Sequence, residues 1–208
     1  MNSVKSVLIV GVGGQGTLLA SRLLGSAMMD LGYDVKVSEV HGMSQRGGSV
    51  ETYVRYGEKV YSPVIDPGEA DIVLAFEQLE AAYLTGEMKH HEQLEAARFL
   101  PFLKKGGVVV TNTQKIDPMP VVTGAAQYPQ GLLEAIEGQG ARLLALDALS
   151  LAEQAGSVKA VNVVLIGAMA KSLGTEKEIW LKTIEKTVPP KFVEMNKKAF
   201  TLGYEAGE

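Results

Sequence analysis

Val7, Leu8, Ile9 and Val10 form an unbroken apolar run, and three of the four are β-branched. Such a run predicts a strand buried on both faces. After a glycine-rich turn, Leu18, Leu19, Leu23, Leu24, Ala27, Met28 and Leu31 recur at helical spacing, and Gly32 supplies a stop. Residues 35–38 predict a second strand. The alternating stretch 50–57 predicts a third, with 60–62 as its expected hairpin partner, and 63–68 reads as a loop. The apolar run 71–76 predicts another buried strand, with Glu77 opening a helix at its end. A glycine turn at 106–107 leads into a strand ending at Asn112. Further strands are expected at 120–124, weakened by its proline, and at 141–146. Asp147 is placed to cap a helix over 148–155. A strongly apolar helix follows over 158–173, and two more at 177–188 and 191–204 flank Pro189 and Pro190.

Apolar strands alternating with amphipathic helices predict an α/β fold: a Rossmann-like doubly wound, mostly parallel sheet with an antiparallel hairpin and a helical C-terminal part over 148–205. At 208 residues the chain suits one domain spanning 1–208. One irregularity interrupts it. Glu-Gln-Leu-Glu-Ala-Ala stands at 77–82 and again at 92–97, with a break expected near 85–87. A duplication this short predicts a peripheral insertion without chemistry of its own.

Composition narrows the chemistry. A net charge of −4 leaves no basic surplus to neutralise nucleic-acid phosphates. The absence of cysteine excludes disulfides, a thiol nucleophile and cysteine-held zinc or iron–sulfur centres. Neither a targeting segment nor a bilayer span is apparent, and a cytoplasmic location is expected. His90 and His91 are adjacent in a charged stretch and read as solvated, not as metal ligands.

Gly11, Gly13 and Gly16 satisfy G-x-G-x-x-G between a strand and a helix. Glycine permits a tight turn and close approach, and a helix N-terminus offers free N–H groups to an anion. The alternative is a crossover whose glycines only permit packing. Gln15, beside Gly14, has an amide able to meet a bound group. The loop after the second strand carries His41, Ser44, Gln45 and Arg46 among glycines. In a doubly wound sheet it borders the same crevice, so Arg46 is the expected anion contact, against a solvated surface arginine. Glu39 stands about 20 residues beyond the glycine motif, where a nicotinamide-binding domain keeps its ribose-binding acid. A dehydrogenase and a nucleotide-sensing module therefore stay open. Asn112 and Thr113 end a strand facing that crevice. Asn162, in the first turn of an apolar helix, either caps structure or contacts a neighbour or ligand.

Three stretches together resemble the gamma-type subunits of the 2-oxoacid:ferredoxin oxidoreductases, and within them the indolepyruvate branch. They are Gly11-Val12-Gly13-Gly14-Gln15-Gly16, His41-Gly42-Met43-Ser44-Gln45-Arg46-Gly47-Gly48 before the 50–56 strand, and Ala70 through Glu77; the apolar helix from Ala160 to Gly167 also matches. The resemblance covers nearly the whole chain except the 15-residue duplication. It implies a subunit inactive alone, with no catalytic residue and no metal site of its own. A large partner would carry thiamine diphosphate and iron–sulfur clusters. Together they would decarboxylate an aryl 2-oxoacid such as indolepyruvate oxidatively with coenzyme A, yielding an acyl-CoA, carbon dioxide and reduced ferredoxin. The resulting expectation is an anion-accepting wall formed by Gly13, Gly14, Gln15, Gly16, Thr17 and Arg46, with Ser44 and Asn162 as secondary contacts.

Overall fold

The computed structural model describes residues 4–41, 49–78, 100–117, 119–125 and 127–207. Six strands form one sheet in the order β2-β3-β1-β4-β5-β6. They are β1 (Lys5–Val12), β2 (Asp34–His41), β3 (Ser49–Gly57), β4 (Ala70–Ala75), β5 (Leu103–Asn112) and β6 (Arg142–Leu146). β1, β4, β5 and β6 are parallel neighbours, while β3 runs antiparallel between β1 and β2. β2 thus points the same way as β1, and the antiparallel pairing of β3 is with β1 and β2, not with the expected partner 60–62.

The apolar run in β1 is buried on both sides because two layers cover the sheet. Val7 and Ile9 join one core with Ile72, Leu74, Val108 and Val110, while Leu8 and Val10 join another with Val73 and Val109. Helices α1 (Thr17–Asp30), α4 (Ala148–Ala155), α5 (Val161–Ser172), α6 (Lys177–Thr187) and α7 (Val193–Ala206) supply the first layer. Ile65, Tyr128 and helix α3 (Leu132–Gly138) supply the second; α2 (Met119–Val122) is a single turn before it. Each large side chain buried this way contributes about 1.5–3 kcal/mol of transfer free energy.

The capping residues behave as their chemistry requires. Gly32, at φ 86°, lets Tyr33 N–H reach the Met28 carbonyl at 3.1 Å and closes α1 in a Schellman turn. Asp147 caps α4 by accepting from the Ser150 amide at 3.0 Å. The 158–173 helix begins as a 3-10 turn at Val158–Ala160 and continues as α5. α5 and α7 meet backbone to backbone: a Cβ on Gly203 would stand 1.8 Å from the Val164 carbonyl oxygen, and one on Gly167 2.2 Å from that of Phe200.

Three expected elements differ. Residues 60–62 form no strand, because β1 and β2 already occupy both edges of β3. Instead the Asp34 carboxylate accepts from the Val60 amide at 2.9 Å and folds this loop back. Residues 120–124 are not a strand but the turn of α2 and its exit, with Thr123 N–H bonded to the Met119 carbonyl at 2.9 Å. Pro120 sits at a helix start, where no N–H is needed. β5 begins before its glycines: Ala70 pairs with Leu103 and Ile72 with Val108, so Gly106, at φ 77°, lies in an irregular step within the strand. The duplicated motif falls almost wholly in 79–99, and His90 and His91 with it, outside the described residues.

At the amino end of the sheet, Asp71 on β4 ties three strands. It accepts from the Ser6 amide at 2.9 Å, from Lys5 at 3.1 Å and from Lys104. Burial alone would push its carboxyl up; these donors outweigh burial and hold it below the usual carboxylate range.

Candidate functional site: a cavity at the carboxyl edge of the sheet

β1 ends in the glycine turn, and α1 starts from it with Gly16 at φ 90° as its N-cap. Two of its glycines, Gly11 and Gly16, leave no room for a side chain. A Cβ on Gly11 would meet Gln15 Oε1 at 2.8 Å, and one on Gly16 would meet Asn162 Nδ2 at 2.4 Å. Part of the motif therefore serves internal packing, as the crossover alternative expects. Gln15 is also turned inward. Its Oε1 accepts from the Val12 amide at 2.7 Å and its Nε2 donates to the Phe76 carbonyl at 3.5 Å. The side chain ties the turn to the end of β4, leaving one amide hydrogen for other use. Asn162, inside the first turn of α5, makes one local and one long-range bond: Oδ1 accepts from the Val163 amide at 2.9 Å, and Nδ2 donates to the Gly16 carbonyl at 3.4 Å.

A cavity of about 570 Å³ opens at this edge, lined by Gly14, Gln15, Gly16 and Phe76 on one side and by Gln114, Ile116, Lys159 and Asn162 across it. The Thr17 and Leu18 amides precede the first helical bonds of α1, which begin with Leu19 and Ala20 on the Gly16 carbonyl. Lys159 forms no ion pair among the described residues. A helix N-terminus and an ammonium around one opening favour an anion. A smaller apolar groove of about 280 Å³ adjoins it, sharing Lys159 and Asn162 and including Leu19, Val188 and Phe192.

The structure brings Gly14, Gln15, Gly16 and Asn162 to one cavity, while Thr17, buried at the start of α1, is not part of its lining. Gly13 belongs to the same turn. Ser44 and Arg46 lie outside the described residues, but the strands that flank them do not: Ser49 pairs with Val12 and His41 with Val50, at the carboxyl edge of β1. Asn112 is fully buried and faces inward. Its Oδ1 accepts from the Ala148 amide at 3.3 Å and its Nδ2 donates to Gln114 at 3.2 Å. Glu77 is buried, 1% exposed, accepting from the Ile116 amide at 3.3 Å and from the Tyr128 hydroxyl. Lys159 was not singled out from the sequence. Its signal is modest: a cation three residues before Asn162, just ahead of a helix.

Glu39 does not stand where a nicotinamide-binding acid would. β3 separates β2 from β1, so Glu39 is two strand spacings, about 10 Å, from the strand that carries the glycine turn. Its carboxylate accepts from the Ser21 hydroxyl at 3.1 Å.

Comparison with known proteins agrees with this architecture. The family described as Pyruvate ferredoxin/flavodoxin oxidoreductase matches residues 6–206. The chain is 44% identical over 210 residues to the indolepyruvate oxidoreductase subunit IorB of Pyrococcus horikoshii, across 98% of this chain and 96% of that one. The corresponding subunit of Thermococcus kodakarensis is 43% identical over 211 residues, with the same coverage. Among solved structures, the keto/oxoacid ferredoxin oxidoreductase gamma subunit of Geobacter sulfurreducens superposes with a TM-score of 0.67 at 26% identity, over 98% of each chain. The chain belongs to the pyruvate ferredoxin/flavodoxin oxidoreductase family.

Proposed function

We propose that this chain, as one domain over 1–208, is the small subunit of a cytoplasmic 2-oxoacid:ferredoxin oxidoreductase that acts on indolepyruvate or a related aryl pyruvate. The reaction decarboxylates the 2-oxoacid oxidatively with coenzyme A to an acyl-CoA, carbon dioxide and reduced ferredoxin. Thiamine diphosphate and iron–sulfur clusters on a larger partner supply the bond-breaking and electron transfer. A chain with no cysteine suits that division of labour.

The observation that carries this chain's own role is the anion-favouring cavity. The α1 N-terminus and Lys159 face one opening, and residues 42–48, with Ser44 and Arg46, join strands that end beside it. In this reading Gly13, Gly14, Gly16 and Thr17 present backbone amides to a coenzyme A phosphate. Lys159 and Arg46 neutralise it, Ser44 and Asn162 add polar contacts, and Gln15 holds the turn in shape. Among the described residues no helix is long and apolar enough to cross a membrane.

The test is co-purification with the large subunit, followed by coenzyme-A-dependent reduction of ferredoxin or a viologen dye. Activity is expected only with both chains present. Removing a charge-assisted contact to phosphate costs about 1.5–3 kcal/mol. Arg46→Ala and Lys159→Ala should each raise the apparent KM for coenzyme A by about tenfold or more with assembly intact. Unchanged KM for both removes these cations from the site, and weakened assembly makes the loop a docking element instead. A dehydrogenase would require tight NAD binding by the isolated chain.

A further inference from the structure

The cavity has two walls, and one tripeptide fastens both. Phe76, Glu77 and Gln78 leave the end of β4 in succession. The Phe76 carbonyl receives Gln15 Nε2 at 3.5 Å, which holds the glycine turn. Gln78 Nε2 donates to the Thr113 carbonyl at 2.9 Å, which fixes the start of the opposite wall. Between them, Glu77 Oε1 accepts from the Ile116 amide at 3.3 Å and from the Tyr128 hydroxyl. Ile116 and Gln114 are the residues of that wall that line the cavity.

A carboxylate that is 1% exposed is costly to bury and persists only where donors compensate it. Here its donors come from two segments that carry no strand, 113–117 and 127–130. Tyr128 is pinned again from outside, with Lys115 Nζ 5.5 Å from the centre of its ring. Breaking the Glu77 contact therefore loosens the cavity wall at Ile116 without touching the sheet, while Gln78 on Thr113 and Asn112 on Gln114 still hold its start.

We propose that Glu77 and Tyr128 form a latch that positions the Gln114–Ile116 wall against the glycine turn, making Glu77 a positioning residue for the ligand of this cavity. The inference rests on the reading that the ligand is coenzyme A. With the Ile116 end of the wall loosened, the ligand must order it on binding, so the loss appears in affinity and not in the chemistry on the partner.

The experiment uses the assembled complex with Glu77→Ala, Glu77→Gln and Tyr128→Phe. Glu77→Ala should raise the KM for coenzyme A by about tenfold while kcat at saturation stays within about twofold. Glu77→Gln keeps an acceptor for both donors and should recover most of the affinity. Tyr128→Phe should fold normally, raise KM less than Glu77→Ala, and combine with it less than additively. Hydrogen exchange in 113–117 should quicken in the variants that raise KM. Unchanged KM, with or without faster exchange, overturns the latch, as does an equal loss in kcat without a KM change. A wild-type complex with no coenzyme A dependence overturns the functional reading itself before any variant is made, and this inference falls with it.

Discussion

At the scale of single residues, the glycine motif serves two purposes that one-dimensional spacing does not separate. Gly16 needs its φ of 90° to start α1, and it also leaves room for Asn162, which lies 146 residues away. Gly16→Ala should therefore cost about 2–3 kcal/mol, part from left-handed strain and part from the clash. Asn162→Ala should remove only the second part, so the double variant should be less destabilised than the sum of the singles. Urea unfolding of the four proteins measures that coupling. Gln15 makes the same point in reverse. The sequence offers its amide to a ligand, but the fold spends the carbonyl and one N–H on holding the turn. The motif marks the turn that lines the cavity, while which of its groups act as internal locks depended on Phe76 and Asn162.

At the scale of elements, hydrophobic periodicity placed the strands of the central sheet and the long helices, because each buries a face that only one period serves. It did not choose strand partners. An alternating segment such as β3 pairs with whichever edges are open, and here those belong to β1 and β2, not to 60–62. Helix packing was equally silent in the sequence. Gly167 and Gly203 each stand alone in an apolar or mixed helix, yet their closeness sets the distance between α5 and α7. Gly203→Ala should destabilise by about 3 kcal/mol, since its Cβ would fall on backbone that has nowhere to move. Gly138→Ala, at an exposed helix end with nothing within 4 Å, should stay within about 1 kcal/mol of wild type. Thermal melts of the two variants make the comparison.

At the scale of the whole molecule, the two ends of the sheet are built for different tasks. The carboxyl end holds the turn, the cavity and the buried Glu77. The amino end holds Asp71, whose carboxyl is kept below the ordinary range and whose donors come from β1 and β5. A carboxyl lowered in this way stabilises the fold above its unfolded value of about 3.9, and the contribution is lost as pH falls through the folded value. Asp71→Asn should lower the urea midpoint at pH 7 and flatten the loss of stability below about pH 4. It should leave the KM for coenzyme A unchanged, because the two ends are separated by the length of the strands.

The sequence by itself determined the alternation of buried strands and amphipathic helices, the caps at Gly32 and Asp147, and the glycine turn as the organising point. These follow from local sterics and from the period of apolar residues, which are properties of neighbours in the chain. Only the tertiary structure decided that β3 separates β1 from β2, that Lys159 faces the glycine turn, and that Glu77 fastens a wall to Tyr128. Each of these joins residues far apart in the chain, and the partner of a backbone edge or a buried carboxylate is fixed by the packing of the whole fold, which no local period encodes.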